Sequence, residues 1–278
     1  MIWIDGKFLG GTSVPRTRAI SPFETMGATA GQVKLWDRHL RRLAASAERL
    51  GIPFRPSMPE LRAAAGELLL HDGHGDGVLR LQLVPDGGSV HTVMASRARS
   101  PVSVVKLLPT VVQRPADAPP ADIKCEPRRF YDLVLQQAQD GGADDGIVVA
   151  ADGAVLETAL GNLWLLLDGA WVTPPLDGRV LPGIARTALL EQAERAGARV
   201  AERACDLGDV HRADALAHSN AVYGPRPAVL LDRGGVEEVD SVVDSVVDSV
   251  VDSGLGGGVG GGAAGELGAL WRAVLGEH

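Results

Sequence analysis

Apolar and polar positions follow two different periods along the chain, and one of them predicts β-hairpins. Short apolar runs are interrupted at three places by Asp-Gly, the strongest two-residue signal for a hairpin turn. The predicted hairpins pair residues 2–4 with 7–9, 147–150 with 154–157, and 163–167 with 170–173. Further strands are predicted at 23–28, 78–84, 90–95 and 102–108.

Other segments repeat apolar residues at spacings of three and four, which indicates helices with one buried face. The clearest begins at Asp37 and ends at Gly51, with its apolar stripe on Leu40, Leu43, Ala44, Ala47 and Leu50. Helices are also predicted at 59–70, 127–139, 181–197 and 266–275. In the helix at 127–139, the expected face consists of Phe130, Leu133, Val134 and Gln137. Strands and helices together predict an α+β fold.

A stiff segment at 114–120, Arg-Pro-Ala-Asp-Ala-Pro-Pro, divides the chain, because its prolines cannot continue a helix or a sheet. We therefore expect an N-terminal α/β domain at 1–114, a linker at 115–121 and a C-terminal domain at 122–278. A repeat of Val, Asp and Ser followed by many glycines fills 239–262. This segment is predicted to be a mobile low-complexity insertion, since these residues are poor helix formers.

Composition and charge restrict the kinds of partner. The 278 residues are 45% hydrophobic and 22% charged, which is ordinary for a globular protein. A formal net charge of -8 makes nucleic acid or an anionic membrane an unexpected partner. No apolar run approaches the ~20 residues that a membrane span needs. Cys125 and Cys205 have no metal-ligand spacing, so we expect a cytoplasmic protein without a bound metal.

Lys124 and Glu157 are the first candidates for chemistry. A lysine amine can hold pyridoxal phosphate as a Schiff base, and a carboxylate can keep the pyridine nitrogen of that cofactor protonated. The predicted helix start at Pro182-Gly183 adds an anion site, because unpaired N–H groups and the helix dipole attract a phosphate. Each signal is weak alone, since most Lys and Glu residues are solvated, and they gain weight together.

Several motifs occur together in an order and spacing that are typical of one family. They are Asp122-Ile123-Lys124, the hairpin ending at Glu157, Gly161-Asn162-Leu163-Trp164, residues 173–178, Leu181–Arg186, Phe23-Glu24-Thr25 and residues 39–43. Over about residues 1–232 and the final helix, the chain resembles the class IV (fold type IV) pyridoxal phosphate enzymes. These include branched-chain and D-amino acid aminotransferases and aminodeoxychorismate lyase. The resemblance implies a smaller N-terminal α/β domain, a β-barrel-like C-terminal domain with flanking helices, and a homodimer.

The resemblance also implies a role for individual residues. Lys124 matches the Schiff-base lysine and general base, Glu157 faces the pyridine nitrogen, and Arg42 binds the cofactor phosphate. The backbone donors at the helix start correspond to Gly183, Ile184 and Ala185. For Arg42 the two lines of reasoning disagree, because helical spacing places it nearly opposite the apolar stripe and would leave it solvated.

The predicted loop from His218 to Pro227 favours one activity. Its Asn-Ala followed by a run ending in proline resembles the lyase, whereas aminotransferases of the family usually have a Thr- and Gly-rich turn there. The resemblance therefore implies an amine substrate, 4-amino-4-deoxychorismate, converted to 4-aminobenzoate and pyruvate for folate synthesis. Candidate substrate contacts are Thr25, Ser219, Asn220, Tyr223 and Arg226.

Two other functions stay open. One is transamination of a branched-chain or D-amino acid with a 2-oxo acid acceptor, and the other is cofactor binding without turnover. The chain departs from the family pattern in three places: segment 10–22 is shorter, Gly27 stands where arginine is common, and Pro127 stands where the lyases tend to have Asn. These departures concern the substrate, because all the expected cofactor groups are present.

Overall fold

The computed structural model describes residues 1–11, 14, 17–101, 104–231 and 263–277. By its contacts the chain divides into two compact units. Unit 1 consists of Met1–Pro101 and Pro119–Arg128, and unit 2 consists of Val102–Ala118 and Arg129–His278. The insertion predicted at 239–262 lies outside the described residues.

Unit 1 is an antiparallel sheet with two helices. Its strands are β1 (Ile2–Ile4), β2 (Lys7–Leu9), β3 (Ser21–Thr29), β4 (Gln32–Val33), β5 (Val78–Asp86), β6 (Ser89–Arg97) and β8 (Cys125–Glu126). The order is β2-β1-β6-β5-β3-β4, and β8 pairs with β3. The helices are α1 (Trp36–Arg49) and α2 (Met58–His71). The hairpin predicted across Asp5-Gly6 is confirmed, with Ile4 opposite Lys7.

Helix α1 follows the predicted stripe. Leu40, Leu43 and Ala47 are buried in one cluster with Met26 of β3, and each large aliphatic side chain stabilises the fold by about 1.5–3 kcal/mol. Gly51 adopts a φ of 65° just after the helix, a left-handed conformation that costs glycine little. The predicted helix is therefore confirmed, and its inner face fixes α1 against the strand that carries the Phe23-Glu24-Thr25 motif.

Unit 2 contains a nine-stranded sheet. Its strands are β7 (Val105–Thr110), β9 (Asp145–Val149), β10 (Ala154–Thr158), β11 (Asn162–Leu167), β12 (Ala170–Thr173), β13 (Val200–Glu202), β14 (Cys205–Asp206), β15 (Ala215–Asn220) and β16 (Gly224–Leu230). The order is β13-β12-β11-β15-β16-β7-β9-β10-β14. The described helices are α3 (Arg129–Asp140), α4 (Ile184–Ala196), α5 (Leu207–Arg212) and α6 (Ala263–Leu275).

The division into units differs from the boundaries expected at 114 and 122. Strand β7, assigned from sequence to the N-terminal domain, lies inside the sheet of unit 2, parallel to β9 and β16. Lys124, assigned to the C-terminal domain, lies in unit 1, where the next residues pair with Ser21 and Pro22. Both differences have one cause: pairing between strands far apart in sequence leaves no local pattern in the chain.

Two smaller expectations also need correction. The predicted loop at 218–227 is largely strand, since β15 and β16 form a hairpin across it. In α3 the buried residues are Phe130, Val134 and Ala138, whereas Leu133 is 55% exposed. Within the part of the chain that the structure describes, no helix is both long enough and apolar enough to cross a bilayer.

Candidate active site

The main chain of Lys124 is fixed by the sheet of unit 1. Its carbonyl accepts a hydrogen bond from the N–H of Phe23 at 3.0 Å, and β8 follows immediately as a partner of β3. The residue is half-buried, and its Nζ lies 4.9 Å from the centre of the Phe23 ring. The amine is therefore held over an aromatic face.

The amine of Lys124 is surrounded by positive charge. Burial, followed by the charges of Arg128 and Arg42, lowers the pKa of Lys124 to about 7. Arg80 acts in the same direction, and Glu24 opposes it. A large share of this lysine is consequently a neutral amine at neutral pH, which is the form that can act as a nucleophile or a general base.

Arg42 is bound to a buried carboxylate. Its Nε donates to Glu24 Oε1 at 2.8 Å and its Nη2 donates to Glu24 Oε2 at 2.6 Å. The side chain of Arg42 is 13% exposed, so the solvated position indicated by helical spacing is wrong. The long side chain reaches Glu24 on β3 from the edge of the buried stripe. This bidentate pair holds the guanidinium group in one orientation.

His39 completes the Glu24 site. Its side chain is fully buried, and its Nδ1 lies 2.7 Å from Glu24 Oε2. Burial raises the pKa of Glu24, but the charges and hydrogen bonds of Arg42 and His39 outweigh this effect and hold it at about 2. Burial also lowers the pKa of His39, with Arg42 and Lys124 adding to the effect. Because an ionised carboxylate only accepts, Nδ1 of a neutral His39 must donate.

Thr25 and Arg80 lie opposite each other on β3 and β5. Thr25 is half-buried. Arg80 donates to Gln82 Oε1 at 2.8 Å and to Glu126 Oε1 at 2.7 Å, and its guanidinium lies 3.8 Å from the Phe23 ring centre. Sequence reasoning missed Arg80, although a charged residue within an otherwise apolar strand was a usable signal.

In unit 2, Glu157 is the next-to-last residue of β10, and its carboxylate is buried and hydrogen-bonded. The hydroxyl of Tyr131 donates to its Oε1 at 2.7 Å. Its Oε2 accepts from the backbone N–H of Leu181 at 3.2 Å and from Asn162 Nδ2 at 3.4 Å. Glu157 is 4% exposed, so these donors fix a carboxylate that water barely reaches. Tyr131 and Asn162 had no role assigned from sequence.

The start of α4 is suited to an anion. Gly183 is its N-cap residue, no side chain caps the helix, and the first turn carries no acidic residue that would repel a phosphate. A Cβ at position 183 would overlap Asn162 Oδ1. Asn162 Nδ2 also donates to the carbonyl of Leu181 at 3.1 Å. Asn162 therefore contacts both the Glu157 carboxylate and Leu181, which lies just before α4.

The remaining candidates lie on the β15–β16 hairpin. Ser219 is fully buried and its Oγ accepts from Trp164 Nε1 at 2.8 Å. Asn220 Oδ1 accepts from the N–H groups of Val222 and Tyr223 at 3.1 Å each, which closes the turn. These contacts define the shape of the hairpin. Ser219 and Asn220 lie on β15, whereas Glu157 lies on β10.

Arg226 is packed within the same hairpin. Its guanidinium stacks 4.2 Å from the ring centre of Tyr223, and its Nη2 lies 3.2 Å from His218 Nδ1. The other ring nitrogen of His218 lies 3.2 Å from the buried carboxylate of Asp145. Because arginine can only donate, Nδ1 of His218 accepts and the ring proton is on Nε2, the nitrogen nearer Asp145.

Comparison with known proteins decides the family, since a model of amino-transferase class IV matches residues 21–231. The chain belongs to the class IV aminotransferase family. This class IV protein is 26% identical over 245 residues to the probable branched-chain-amino-acid aminotransferase of Thermotoga maritima, spanning 81% of this chain and 85% of the relative.

Two solved structures extend the class IV comparison. The 4-amino-4-deoxychorismate lyase of Pseudomonas aeruginosa is 27% identical with a TM-score of 0.69, covering 89% of this chain and 98% of that one. A hypothetical aminotransferase of Mycobacterium tuberculosis in its PLP-bound form is 24% identical with a TM-score of 0.70, covering 90% of this chain and 99% of that one. The two-domain α+β fold of type IV, predicted from sequence, is confirmed.

The class IV chain is a pyridoxal phosphate-dependent enzyme that acts on small molecules, as the sequence predicted. Its residues fit that cofactor. Unit 1 offers an amine with a lowered pKa at Lys124 and a fixed guanidinium at Arg42. Unit 2 offers the buried carboxylate of Glu157 and an uncapped helix start at Gly183. These are the groups that an aldehyde, a pyridine nitrogen and a phosphate require.

Proposed function

We propose that this class IV enzyme is a lyase that converts 4-amino-4-deoxychorismate into 4-aminobenzoate and pyruvate, a reaction of folate synthesis. The observation that carries this choice is the turn after β15, which Asn220 closes by accepting from two backbone N–H groups. A turn closed by asparagine differs from the Thr- and Gly-rich turn of the aminotransferases. The likeness to the Pseudomonas aeruginosa lyase, at 27% identity, supports the same choice.

The proposed roles toward the cofactor follow the chemistry of each side chain. Lys124 supplies the amine through which the cofactor is held, and Glu157 pairs with its ring nitrogen. Arg42 and the backbone at Gly183, Ile184 and Ala185 bind its phosphate. When bound, pyridoxal phosphate supplies an electron-withdrawing ring that stabilises negative charge on the reacting part of the substrate.

Lys124 is proposed to move the proton. Once the amino group of the substrate has taken its place on the cofactor, the freed and neutral Nζ would accept the proton from the substrate ring carbon that bears the amino group. The bond between the neighbouring ring carbon and the enolpyruvyl oxygen then breaks as the ring becomes aromatic. A proton returned to the departing enolpyruvate gives pyruvate, so atoms balance without a second substrate. Thr25, opposite Arg80 in the sheet, is the candidate for holding or protonating the departing group.

Roles toward the substrate are proposed for four residues of the hairpin. Tyr223 and Arg226 would meet substrate carboxylates, and the stacking of the guanidinium on the ring supports their action as a pair. Ser219 and Asn220 would define the shape of the turn that carries them, through the contacts with Trp164 and with the backbone.

The second candidate is an aminotransferase for a branched-chain or D-amino acid. The Thermotoga maritima relative, which spans 81% of this chain, favours it. The cofactor groups and the lysine base would be the same. The difference lies in the requirement for a 2-oxo acid acceptor, which the lyase does not need.

The test is to incubate the purified enzyme with 4-amino-4-deoxychorismate alone, and separately with amino acids plus a 2-oxo acid. A lyase forms pyruvate and 4-aminobenzoate without an acceptor, and lactate dehydrogenase detects the pyruvate through consumption of NADH. Product formation that occurs only with an amino acid and a 2-oxo acid contradicts the lyase and supports the aminotransferase. Bound cofactor without either reaction supports binding without turnover and overturns both.

A homodimer and a cytoplasmic location are also proposals. Exposed apolar side chains on unit 2, such as Val111 at 72% and Leu133 at 55%, suit an interface between copies. Light scattering of the purified chain measures its mass, and a monomer at micromolar concentration contradicts the dimer. Cell fractionation tests the location.

A further inference from the structure

Tyr131 stands out as a polar side chain on α3 that has one well-defined acceptor. Its hydroxyl donates to Glu157 Oε1 at 2.7 Å, across 26 positions of sequence. The ring packs edge-on against Phe130 with 5.1 Å between centroids, and the guanidinium of Arg114 lies 5.5 Å from its centre. The phenol is therefore restrained by neighbours on more than one side.

The direction of this hydrogen bond follows from the charges. Burial and then the negative charge of Glu157 raise the pKa of Tyr131, so the phenol keeps its proton and donates it. The second oxygen of Glu157 is already engaged by the N–H of Leu181 and the amide of Asn162. The carboxylate cannot rotate without breaking at least one of these bonds, and Tyr131 provides the shortest of them.

We propose that Tyr131 is a positioning residue of the class IV reaction, whose hydroxyl holds the Glu157 carboxylate in the orientation and the anionic form that pair with the cofactor's ring nitrogen. The inference rests on the proposed role of Glu157. A donor bonded to a carboxylate lowers its affinity for a proton. Tyr131 thus favours the proton on the ring nitrogen, where it keeps the ring electron-poor.

The variant Tyr131→Phe removes the hydroxyl and leaves the ring that packs against Phe130. Hydrogen bonds to charged groups are strong enough that we expect about tenfold weaker binding of pyridoxal phosphate. The affinity is measured by absorbance titration of the full chain after removal of the cofactor. With substrate, kcat should fall about tenfold while KM stays within about twofold, because Tyr131 is not among the proposed substrate contacts.

A second background separates positioning from simple packing. In Glu157→Gln the anion is gone, so adding Tyr131→Phe should change the cofactor affinity by less than about twofold. Equal losses in the two backgrounds mean that Tyr131 acts through packing, and this result overturns the proposal. An unchanged affinity and an unchanged cofactor absorption spectrum in Tyr131→Phe overturn it as well.

The affinity measurement contains no substrate, so it is independent of the lyase assignment. Suppose that no pyruvate is released, but Tyr131→Phe weakens cofactor binding in the wild-type protein and not in Glu157→Gln. The lyase assignment is then wrong, and the role of Tyr131 stands. If Glu157→Gln alone leaves cofactor affinity and spectrum unchanged, the role of Glu157 fails, and the role of Tyr131 fails with it.

Discussion

Glu24 in unit 1 and Glu157 in unit 2 are both buried carboxylates, but they are stabilised in different ways. Glu24 accepts hydrogen bonds from the guanidinium of Arg42 and from His39, and its charge also acts on the pKa of Lys124. Glu157 accepts from a phenol, an amide and a backbone N–H. The first is a cluster of opposite charges, and the second is an anion held by oriented dipoles.

The difference matches the chemistry that each carboxylate can serve. A charge cluster around Glu24 fixes cations and leaves Lys124 under net positive influence, which favours the neutral amine. The donors described at Glu157 are neutral groups that fix the direction of its carboxylate, so the anion is oriented to attract a protonated ring nitrogen. Four changes test this contrast, beginning with the largest expected effect.

Lys124→Ala should reduce turnover by about a thousandfold or more, because it removes both the proposed point of attachment and the proposed base. The visible absorbance of the held cofactor should disappear at the same time. Lys7→Ala, at an exposed residue of β2, is the matched control and should keep both properties. Retained absorbance in Lys124→Ala would show that another amine holds the cofactor.

Glu24→Gln should destabilise the cofactor-free protein by about 3 kcal/mol at pH 7, because Arg42 and His39 lose a buried anion. Urea unfolding measures this value, with Glu48→Gln on the exposed face of α1 as a control. The pKa of Glu24, about 2, lies below its ordinary value of 4.5. Its contribution is therefore present above pH 4.5 and is lost as the pH falls toward 2. A difference that does not shrink over this range contradicts the charge cluster.

Gly183→Ala should destabilise the protein by about 1–3 kcal/mol and weaken cofactor binding, because the new methyl group overlaps Asn162 Oδ1. Gly265→Ala in α6, where a Cβ meets no atom within 4 Å, should cause no loss. Adding Asn162→Ala to Gly183→Ala removes the overlap, so the double variant should lose less than the sum of the single changes. Additive losses would mean that Asn162 is not the obstacle.

Lys124→Met should raise the stability of the cofactor-free protein by about 1–2 kcal/mol at pH 6, because folding no longer places a charged amine in an unfavourable site. The gain is smaller than the full pKa shift implies, since Lys124 is partly exposed to solvent. The pKa of Lys124, about 7, lies below its ordinary value of 10.5. Between these values the unfolded chain binds a proton that the folded chain has released, so wild-type stability rises with pH. The advantage of the variant should therefore vanish by about pH 10.5. Parallel pH profiles of unfolding would exclude this origin.

Local signals explain which parts of the fold could be predicted. The Asp5-Gly6 turn and the stripe of α1 ending at Gly51 each concern neighbouring residues, and both were found from sequence. Strand β7 could not be placed, because its partners β9 and β16 pair with it in parallel over long separations. The β15–β16 hairpin was predicted as a loop for a different reason: its partners are close in sequence, but Pro225 and Pro227 argue against a strand.

The candidate site shows a similar limit. Lys124 and Glu157 were candidates from their chemistry and Arg42 only from the resemblance, and helical spacing alone predicted the wrong environment for Arg42. The roles of Glu24 and Tyr131 depend on which buried atoms meet across the fold, and residue type does not reveal such partners. The physical reason is that hydrogen-bond geometry in a core is set by packing between distant segments.

The hydrogen bond from the N–H of Phe23 to the carbonyl of Lys124 has a consequence for protein engineering. A chimera that exchanged only Met1–Pro101 with a homologue would set a foreign β3 edge against the native peptide that bears the reactive amine. Because Pro119–Arg128 belongs to the same unit, that peptide must travel with its sheet. Recombination points at 101/102, 118/119 and 128/129 preserve this arrangement, whereas a single crossover in the proline-rich segment separates the amine from the strand that aligns it.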